Sequence, residues 1–315
     1  MDARTGRAVP VLLALGCTWG ASFLFIHVIV DDTGPMELVF GRLLFGMLAI
    51  GAYVLVTRHK FTPTPELAAQ VSVMALFSNV IPFGLIALGQ EHISSGNASI
   101  LNATVPIFTS IIAAAALDEE YMTMGRIAGL VLGLLGVGVL TGEDVLDVTS
   151  ASVLGQFAIV AAAACYGGGA VYARNLLRGC DPVTLALLQT SIGTMITVPI
   201  LLALRGGSPD YNISLEAWGS FLGLGILGTG LGYIAWLWLI ENVGSVRASM
   251  VTYIVPVVAV LLGWIVLDES IGLNTIAGGL LIVSGVATVM RGQSPPAREL
   301  TIIVPAGVAK SVSAD

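Results

Sequence analysis

The sequence predicts an all-α polytopic membrane protein in which ten transmembrane helices form two inverted five-helix repeats. Of its 315 residues, 56% are hydrophobic and only 10% are charged, whereas soluble domains carry about 25% charged residues. Uninterrupted apolar runs of about 20 residues, the length of a membrane-spanning helix, recur along the chain. Polar and apolar residues do not alternate at period two, as they would in a membrane β-barrel. An internal repeat is the last observation behind this fold class.

The repeat is clearest in one apolar segment that occurs twice, with an offset of 150 residues. Residues 97–117 carry no charge and contain Pro106, and the second copy contains Pro256. Each proline is followed thirteen residues later by an acid, which is Glu119 in the first copy and Glu269 in the second. Because the correspondence continues outward along the chain, the two halves share one plan. Such internal symmetry in an apolar chain is typical of secondary transporters.

Apolar runs bounded by prolines, glycines and charged residues predict the ends of ten spans. The predicted spans are residues 8–30, 35–56, 67–90, 97–117, 125–140, 154–173, 182–204, 218–240, 248–267 and 273–290. The domain organisation that follows is a first five-helix repeat over 1–146, a second, inverted repeat over 147–292, and a flexible cytoplasmic tail over 293–315.

Lysine and arginine positions predict the orientation, because basic residues are retained on the cytoplasmic side. With ten spans, eleven of them fall on the side of the two termini: Arg4, Arg7, Arg58, Lys60, Arg126, Arg174, Arg178, Arg247, Arg291, Arg298 and Lys310. On the opposite side, Arg205 stands alone. We therefore expect a multi-pass protein of the inner (plasma) membrane with both termini cytoplasmic. An odd number of spans in each half makes the two repeats inverted relative to each other.

Several motifs resemble a known family. The first span contains TWGASF from Thr18 to Phe23, and the second begins at Pro35 and reads VFGR up to Arg42. Together with the doubled proline-to-glutamate spacing, these motifs resemble the EamA-type members of the drug/metabolite transporter superfamily over residues 8–290. The resemblance implies a ten-helix bundle with a central cavity, and relatives of this length include exporters of amino acids.

The second half departs from the family pattern at two places. Gln189 stands where a second arginine would correspond to Arg42, and residues 165–168 (CYGG) replace the tryptophan motif. The roles that the resemblance implies for Arg42 and for Trp19, as a substrate-binding residue, therefore apply to the first half alone.

The two repeated prolines predict helix breaks near the middle of the membrane. A proline inside a helix frees the carbonyl four residues before it, which here belongs to Asn102 for Pro106 and to Thr252 for Pro256. Transporter sites combine such breaks with inward-facing polar groups. We therefore expect these four residues to contribute to substrate binding, although kinks that serve only packing are the alternative.

Polar and aromatic side chains on the preceding spans fall at helical spacing and make one face on each. The predicted face includes Asn79 and Phe83 on the third span, Thr229, Tyr233 and Trp236 on the eighth, and Tyr253 on the ninth. Packing or an interfacial aromatic belt is the alternative. A cavity of such side chains without a fixed charge suits a small neutral or zwitterionic solute with apolar or aromatic parts.

Ionisable residues within or beside the spans have open alternatives. Arg42 lies about 10 Å into its span by helical rise, and it either snorkels outward or pairs with Glu37, or it binds a substrate carboxylate. His27 and His92 lie near span ends, where a polar end residue is the expected role. The acids that close spans are expected to stabilise hairpins: Glu119, Glu241 and Glu269.

The residues that are missing restrict the function. The sequence has no mid-membrane acid, as a proton-coupled cation exchanger needs, and its second half has no basic cluster for phosphorylated substrates. It offers no catalytic residues, metal site or cofactor site at membrane depth, and no basic patch for nucleic acid. The predicted function is a secondary transporter that exports amino acids, including aromatic or other neutral ones, or similar small metabolites by alternating access. A broad-specificity drug exporter is the runner-up, and an intramembrane enzyme is disfavoured.

The expected partners are a small-molecule substrate and the lipid bilayer, and a monomer is compatible with this arrangement. Without an embedded acid, we expect transport down a substrate gradient with no imposed proton gradient.

Overall fold

The computed structural model describes residues 3–116, 122–141, 150–176, 180–205, 213–243 and 251–291. Over these residues the chain is helical, without a strand, and forms ten helices. Their bounds are α1 Ala3–Asp32, α2 Pro35–Thr57, α3 Pro65–Ala75 with a π-helical segment at Leu76–Val80 and Ile81–Gln90, α4 Ser95–Asn102 with Val105–Ala116, α5 Met124–Thr141, α6 Ala151–Leu176, α7 Pro182–Arg205, α8 Leu215–Leu222 with a π-helical segment at Gly223–Leu231 and Gly232–Val243, α9 Val251–Val266, and α10 Leu273–Arg291.

These helices coincide with the ten predicted spans, and the all-helical fold class is confirmed. Several begin where local chemistry favours a helix start. Thr64, Ser94 and Ser214 each accept a hydrogen bond from a backbone N–H in the first turn of α3, α4 and α8. Helices α1 to α8 are long and apolar enough to cross a membrane, whereas α9 and α10 contain shorter apolar helices at Ile254–Val266 and Leu273–Val289.

Helices at corresponding places in the two halves pack in corresponding ways. Helix α1 of the first half contacts α8 and α9 of the second, and α6 of the second half contacts α3 and α4 of the first. Helix α2 likewise contacts α7 and α8, while α7 contacts α2 and α3. The core of the bundle therefore lies at the contact between the halves.

Helices α5 and α10 approach each other most closely through glycines. A Cβ atom on Gly129 would lie 2.5 Å from the carbonyl oxygen of Gly285, and one on Gly136 would lie 2.8 Å from that of Gly278. Any side chain at these positions would push the two backbones apart, so the close packing of α5 on α10 depends on glycine.

The break in α4 differs from the one that the sequence predicts. Instead of a kink at Pro106 within one helix, the helix stops at Asn102 and restarts at Val105, and Pro106 occupies the first turn of the second segment. A proline is tolerated there because the N–H it lacks has no intrahelical partner. Pro256, by contrast, lies within the uninterrupted α9. The two repeated prolines thus act differently in the two halves.

The acids expected at hairpins are described in one case. The carboxylate of Glu269 accepts hydrogen bonds from the backbone N–H groups of Ser95 (2.6 Å) and Gly96 (3.2 Å) at the start of α4. It therefore joins the end of α9 to the first half, rather than only closing its own hairpin, and its charge suits a helix N-terminus. Glu119 and the side chain of Glu241 lie outside the described residues.

Candidate substrate site

Arg42 is directed into the bundle from α2. Only 7% of the residue is exposed, its Nε donates a hydrogen bond to Thr229 Oγ1 at 2.9 Å, and its guanidinium carbon lies 3.7 Å from the centre of the Phe83 ring. The outward, snorkelling alternative is therefore wrong, and so is a pair with Glu37. A buried guanidinium stacked on an aromatic face is attracted by the ring quadrupole, which offsets part of its desolvation.

Asn79 lies at the other side of the same group, on α3, and is fully buried. Its Oδ1 accepts hydrogen bonds from Gln189 Nε2 and from the Tyr233 hydroxyl, the latter at 3.4 Å. Its Nδ2 is buried and has no hydrogen-bond partner among the described residues. The amide is therefore held by its oxygen while its two N–H donors remain available.

Among the hydrogen bonds across the halves, two join corresponding positions of the repeat. Arg42 corresponds to Gln189, and Asn79 corresponds to Thr229, by the internal repeat. Arg42 of the first half binds Thr229 of the second, and Gln189 of the second half binds Asn79 of the first. The same pair of positions is thus used twice, once with a charged donor and once with a neutral amide.

Asn79 and Thr229 both lie in the π-helical segments, a feature that sequence-based reasoning missed. These segments occur at the same place in the repeat, at Leu76–Val80 in α3 and Gly223–Leu231 in α8. The wider turn is rare and is found disproportionately at functional sites. In α3 it precedes Pro82, which cannot donate to the backbone ladder, and in α8 it coincides with a glycine-rich run, so both sequences weaken regular α-helical bonding.

Aromatic rings extend the group on both sides. Phe83 packs edge-on against Tyr166 of α6 with ring centres 6.5 Å apart. Trp19 lies 5.4 Å from Trp236, centre to centre, and its indole N–H donates to the carbonyl oxygen of Gly228 at 2.9 Å. Trp19 therefore holds α1 against α8 in two ways: its ring packs on Trp236, and its indole N–H binds the π-helical segment.

The structure brings together most of the predicted site residues and adds two. Arg42, Asn79, Phe83, Thr229, Tyr233, Trp19 and Trp236 form the contacts described above. Gln189 and Tyr166 join them. The repeat signals Gln189, since it stands at the position of Arg42, and Tyr166 belongs to the segment that replaces the tryptophan motif. Because Arg42 is included, the group carries one fixed positive charge, contrary to the expectation of an uncharged cavity.

The remaining predicted residues lie on α4 and α9. Asn102 ends the first segment of α4 with its Oδ1 buried and without a partner among the described residues. Pro106 is half-buried beside it, while Thr252 and Pro256 lie half-buried and buried on α9. The side chain of Tyr253 lies outside the described residues.

The lone histidines remain outside this group. His27 pairs with Asp31 one turn later on α1, with Nε2 to Oδ2 at 3.7 Å, and His92 is exposed. His92 borders a polar cavity of about 350 Å³ at the Glu269 end of the bundle. None of the predicted substrate-binding residues lines that cavity, and no cluster of metal-ligating side chains occurs in the described part of the chain.

The family is decided by a match that covers both halves. The EamA-like transporter family matches the chain twice, over residues 6–142 and 153–291. The chain belongs to this family. It is accordingly a multi-pass membrane protein of a transporter family, and the resemblance drawn from its motifs is confirmed.

The chain is similar to proteins that are named as transporters, and the matches cover most of their length. The chain is 26% identical to the uncharacterized transporter YoaV of Bacillus subtilis, over 87% of this chain and 94% of YoaV. It is 27% identical to a probable terminal-alkyne amino-acid exporter of Streptantibioticus cattleyicolor, over 91% and 95% of the two chains. It is 25% identical to the inner membrane transporter YedA of Escherichia coli, over 80% of each chain. A crystal structure with 18% identity and a TM-score of 0.65 covers 90% of this chain and 97% of its own, and shows the fold.

Proposed function

We propose that this protein exports amino acids, including aromatic or other neutral ones, or similar small metabolites across the inner membrane. Membership of a transporter family supports the transport step. The choice of substrate is supported by the chemistry of the central group of Arg42, Asn79, Phe83, Gln189 and Thr229.

The observation that carries the proposal is the state of Arg42. The guanidinium is buried, uses Nε for Thr229 and has no carboxylate partner among the described residues. An unbalanced charge inside a membrane protein is costly and marks a functional site. A substrate carboxylate would balance it and would match the planar fork of guanidinium donors. The surrounding rings of Phe83 and Tyr166 suit the apolar part of an amino acid.

One relative supports the same substrate class. It is named a probable terminal-alkyne amino-acid exporter, and it aligns with 91% of this chain. An amino acid carries both a carboxylate and an apolar side chain, so it matches the two kinds of group that meet at Arg42.

The mechanism that we propose is alternating access by two inverted repeats. The proposal is supported by hydrogen bonds between corresponding positions of the halves, Arg42 with Thr229 and Gln189 with Asn79, which bring side chains of both halves into one group. If the halves are inverted, exchanging their conformations exchanges the side to which the site opens.

The orientation that we propose has both termini cytoplasmic, as the basic residues indicate. Reporter fusions after Asp315 and near Gly207 test it. A periplasmic signal from the first fusion contradicts the inversion.

Transport into proteoliposomes tests the function. The purified protein is reconstituted, and uptake of radiolabelled phenylalanine, threonine and other neutral amino acids is followed down a gradient without a pH difference. We expect saturable uptake that protein-free liposomes lack. A pH difference should not be needed, because no acid is embedded among the described spans. Strict dependence on a proton gradient contradicts gradient-driven transport, and a complete lack of amino acid uptake contradicts the substrate class.

A broad-specificity drug exporter is the second candidate, favoured by the pair of Trp19 and Trp236, whose large apolar surfaces suit many solutes. The same liposomes distinguish the two candidates, because the positive charge of Arg42 would not help an exporter to bind cationic drugs.

An intramembrane enzyme, the third possibility, predicts a chemically altered product, whereas flux of unchanged solute in pure proteoliposomes contradicts it.

A further inference from the structure

The amide of Asn79 has a fixed orientation. Gln189 Nε2 and the Tyr233 hydroxyl both donate to Oδ1 from the second half of the chain. A carboxamide is planar, and its oxygen and nitrogen are two of the three substituents of the trigonal Cγ atom. Fixing the oxygen by two donors therefore also fixes the direction of Nδ2, away from those donors.

That nitrogen is an exception to a strong rule. Nearly all buried polar groups in proteins have a hydrogen-bond partner, because leaving one without a partner costs free energy. Asn79 is fully buried, and its Nδ2 has no partner among the described residues. A leucine or alanine at this position would avoid the cost. A buried donor held in place by two other residues points to an acceptor that arrives from outside the protein.

Arg42 identifies the kind of acceptor. Its guanidinium stacks on Phe83, which lies one turn after Asn79 on α3, and its Nε donates a hydrogen bond to Thr229 Oγ1. The two terminal nitrogens of its guanidinium have no hydrogen bond to a described residue. The unused donors of Arg42 and Asn79 thus belong to one group of contacting side chains, and an anion with two oxygens can accept from both kinds of donor.

We infer that Asn79 is a second donor to the carboxylate of the substrate, and that Gln189 and Tyr233 are positioning residues that aim its amide. The inference rests on the proposed function, because it names the substrate group that the site recognises. Asn79 reads the carboxylate together with Arg42, while Gln189 prevents the amide from turning its oxygen toward the ligand.

The experiment compares ligands with and without the carboxylate. Phenylalanine and phenylalanine amide compete against labelled phenylalanine in proteoliposomes, and threonine with its amide forms a second pair. For the wild type we expect at least tenfold weaker competition by each amide. Asn79→Asp is nearly isosteric and replaces the N–H donors by an acceptor. It should weaken the amino acids by roughly tenfold or more and change the amides by less than threefold.

Two further variants separate positioning from folding. Gln189→Glu offers Asn79 an acceptor in place of a donor, so the amide should turn over, and the preference for amino acids over their amides should fall in the same direction as in Asn79→Asp. Asn79→Thr introduces the residue that Thr229 provides in the second half, and it keeps the inference testable if Asn79→Asp does not fold. It should also lower the preference, by roughly tenfold.

Each remaining outcome contradicts a defined statement. If the wild type transports neither phenylalanine nor threonine, the proposed function fails and the inference fails with it. If the wild type transports them but accepts the amides equally well, the carboxylate is not recognised, and only the inference fails. The same holds if both folded Asn79 variants weaken acids and amides by equal factors, because Asn79 is then structural.

Discussion

The two halves of the bundle place different side chains at the same two positions. On one side, the charged Arg42 of α2 donates to the hydroxyl of Thr229. On the other, the neutral Gln189 of α7 donates to the amide oxygen of Asn79. In both cases a donor on the second helix of one half meets an acceptor in the π-helical segment of the other half.

The difference shows that the repeated backbone carries different side chains at the centre of the two halves. Backbone features recur, including the π-helical segments, but the charge occurs once. A second arginine in place of Gln189 would bring two like charges into one buried group, where they would repel each other. If this group binds the proposed substrate, one charged position and one amide position give the site a direction, with the carboxylate of a zwitterion toward Arg42.

Arg42→Gln, which makes the two positions identical, should have the largest effect. We expect the apparent affinity for amino acids to fall by about a hundredfold, since hydrogen bonds to a charged group contribute roughly 1.5–3 kcal/mol. Initial uptake rates over a range of concentrations measure it. The matched control is Lys60→Gln, which removes an exposed positive charge outside the bundle and should leave uptake unchanged.

The exchanged double variant sharpens the same comparison. Arg42→Gln with Gln189→Arg moves the charge to the corresponding position of the other half. If the backbone is repeated, the double variant should recover part of the transport that Arg42→Gln loses. A double variant that is as inactive as the single one would show that the surroundings of Arg42, chiefly Phe83 and Thr229, are not interchangeable with those of Gln189.

Thr229→Val should have the next largest effect. Valine keeps the shape and removes the acceptor that holds Arg42 Nε at 2.9 Å, so a buried charged donor loses its partner. We expect apparent affinity for amino acids to fall about tenfold, whereas Thr229→Ser should stay within about twofold. Thr197→Val is the matched control, because that hydroxyl donates within its own helix, to the carbonyl of Thr194. An equal loss in the control would contradict a specific role for Thr229.

The fold could be predicted from the sequence more fully than the site. Span ends follow from apolar length and from local start signals such as Pro35 and Ser94, which act over a few residues. The 150-residue repeat paired Asn79 with Thr229 and Phe83 with Tyr233, and these residues do meet in one group. Local spacing was sufficient there because Asn79 and Phe83 share one face of α3, and Thr229 and Tyr233 share one face of α8.

The rest depends on contacts between distant parts of the chain. The substitution at Gln189 is visible in the sequence as the loss of an arginine, but its partner Asn79 lies 110 residues away on another helix. The π-helical segments arise from a small change in backbone bonding around Pro82 and the glycines of α8, which periodicity does not detect. The same applies to Pro106, where a helix start replaced the predicted kink.

Trp236→Ile tests the aromatic difference between the halves. The repeat pairs Trp236 with Ile86, so the variant gives the second half the residue of the first. It removes the ring that packs on Trp19. Uptake of phenylalanine should fall about fivefold relative to threonine, since an aromatic pair contributes on the order of 1 kcal/mol beyond its area. Trp264→Ile, at an exposed position of α9, should leave this ratio unchanged. Equal changes in both variants would contradict the assignment.

The smallest effect is expected where α2 and α7 begin. Gly34 precedes α2 and provides no side-chain cap, whereas Asp181, at the corresponding position before α7, accepts a hydrogen bond from Thr184 N at 2.7 Å. His59 Nε2 lies 2.9 Å from the same carboxylate oxygen. Asp181→Ala removes both contacts and should lower the free energy of unfolding by roughly 1 kcal/mol, as loss of an N-cap does.

The pH dependence of that loss identifies its cause. Burial favours the neutral acid, but the hydrogen bonds from Thr184 and His59 outweigh it and hold the pKa of Asp181 below its ordinary value. A lowered folded-state pKa stabilises the protein above the unfolded-state pKa, and this contribution disappears as pH falls through the folded-state value. In detergent, thermal unfolding of wild type and Asp181→Ala should therefore differ at neutral pH and converge in acid. Asp181→Asn, which can still cap the helix, should lose less at neutral pH. A difference that persists unchanged in acid would mean that the carboxylate charge does not stabilise the start of α7.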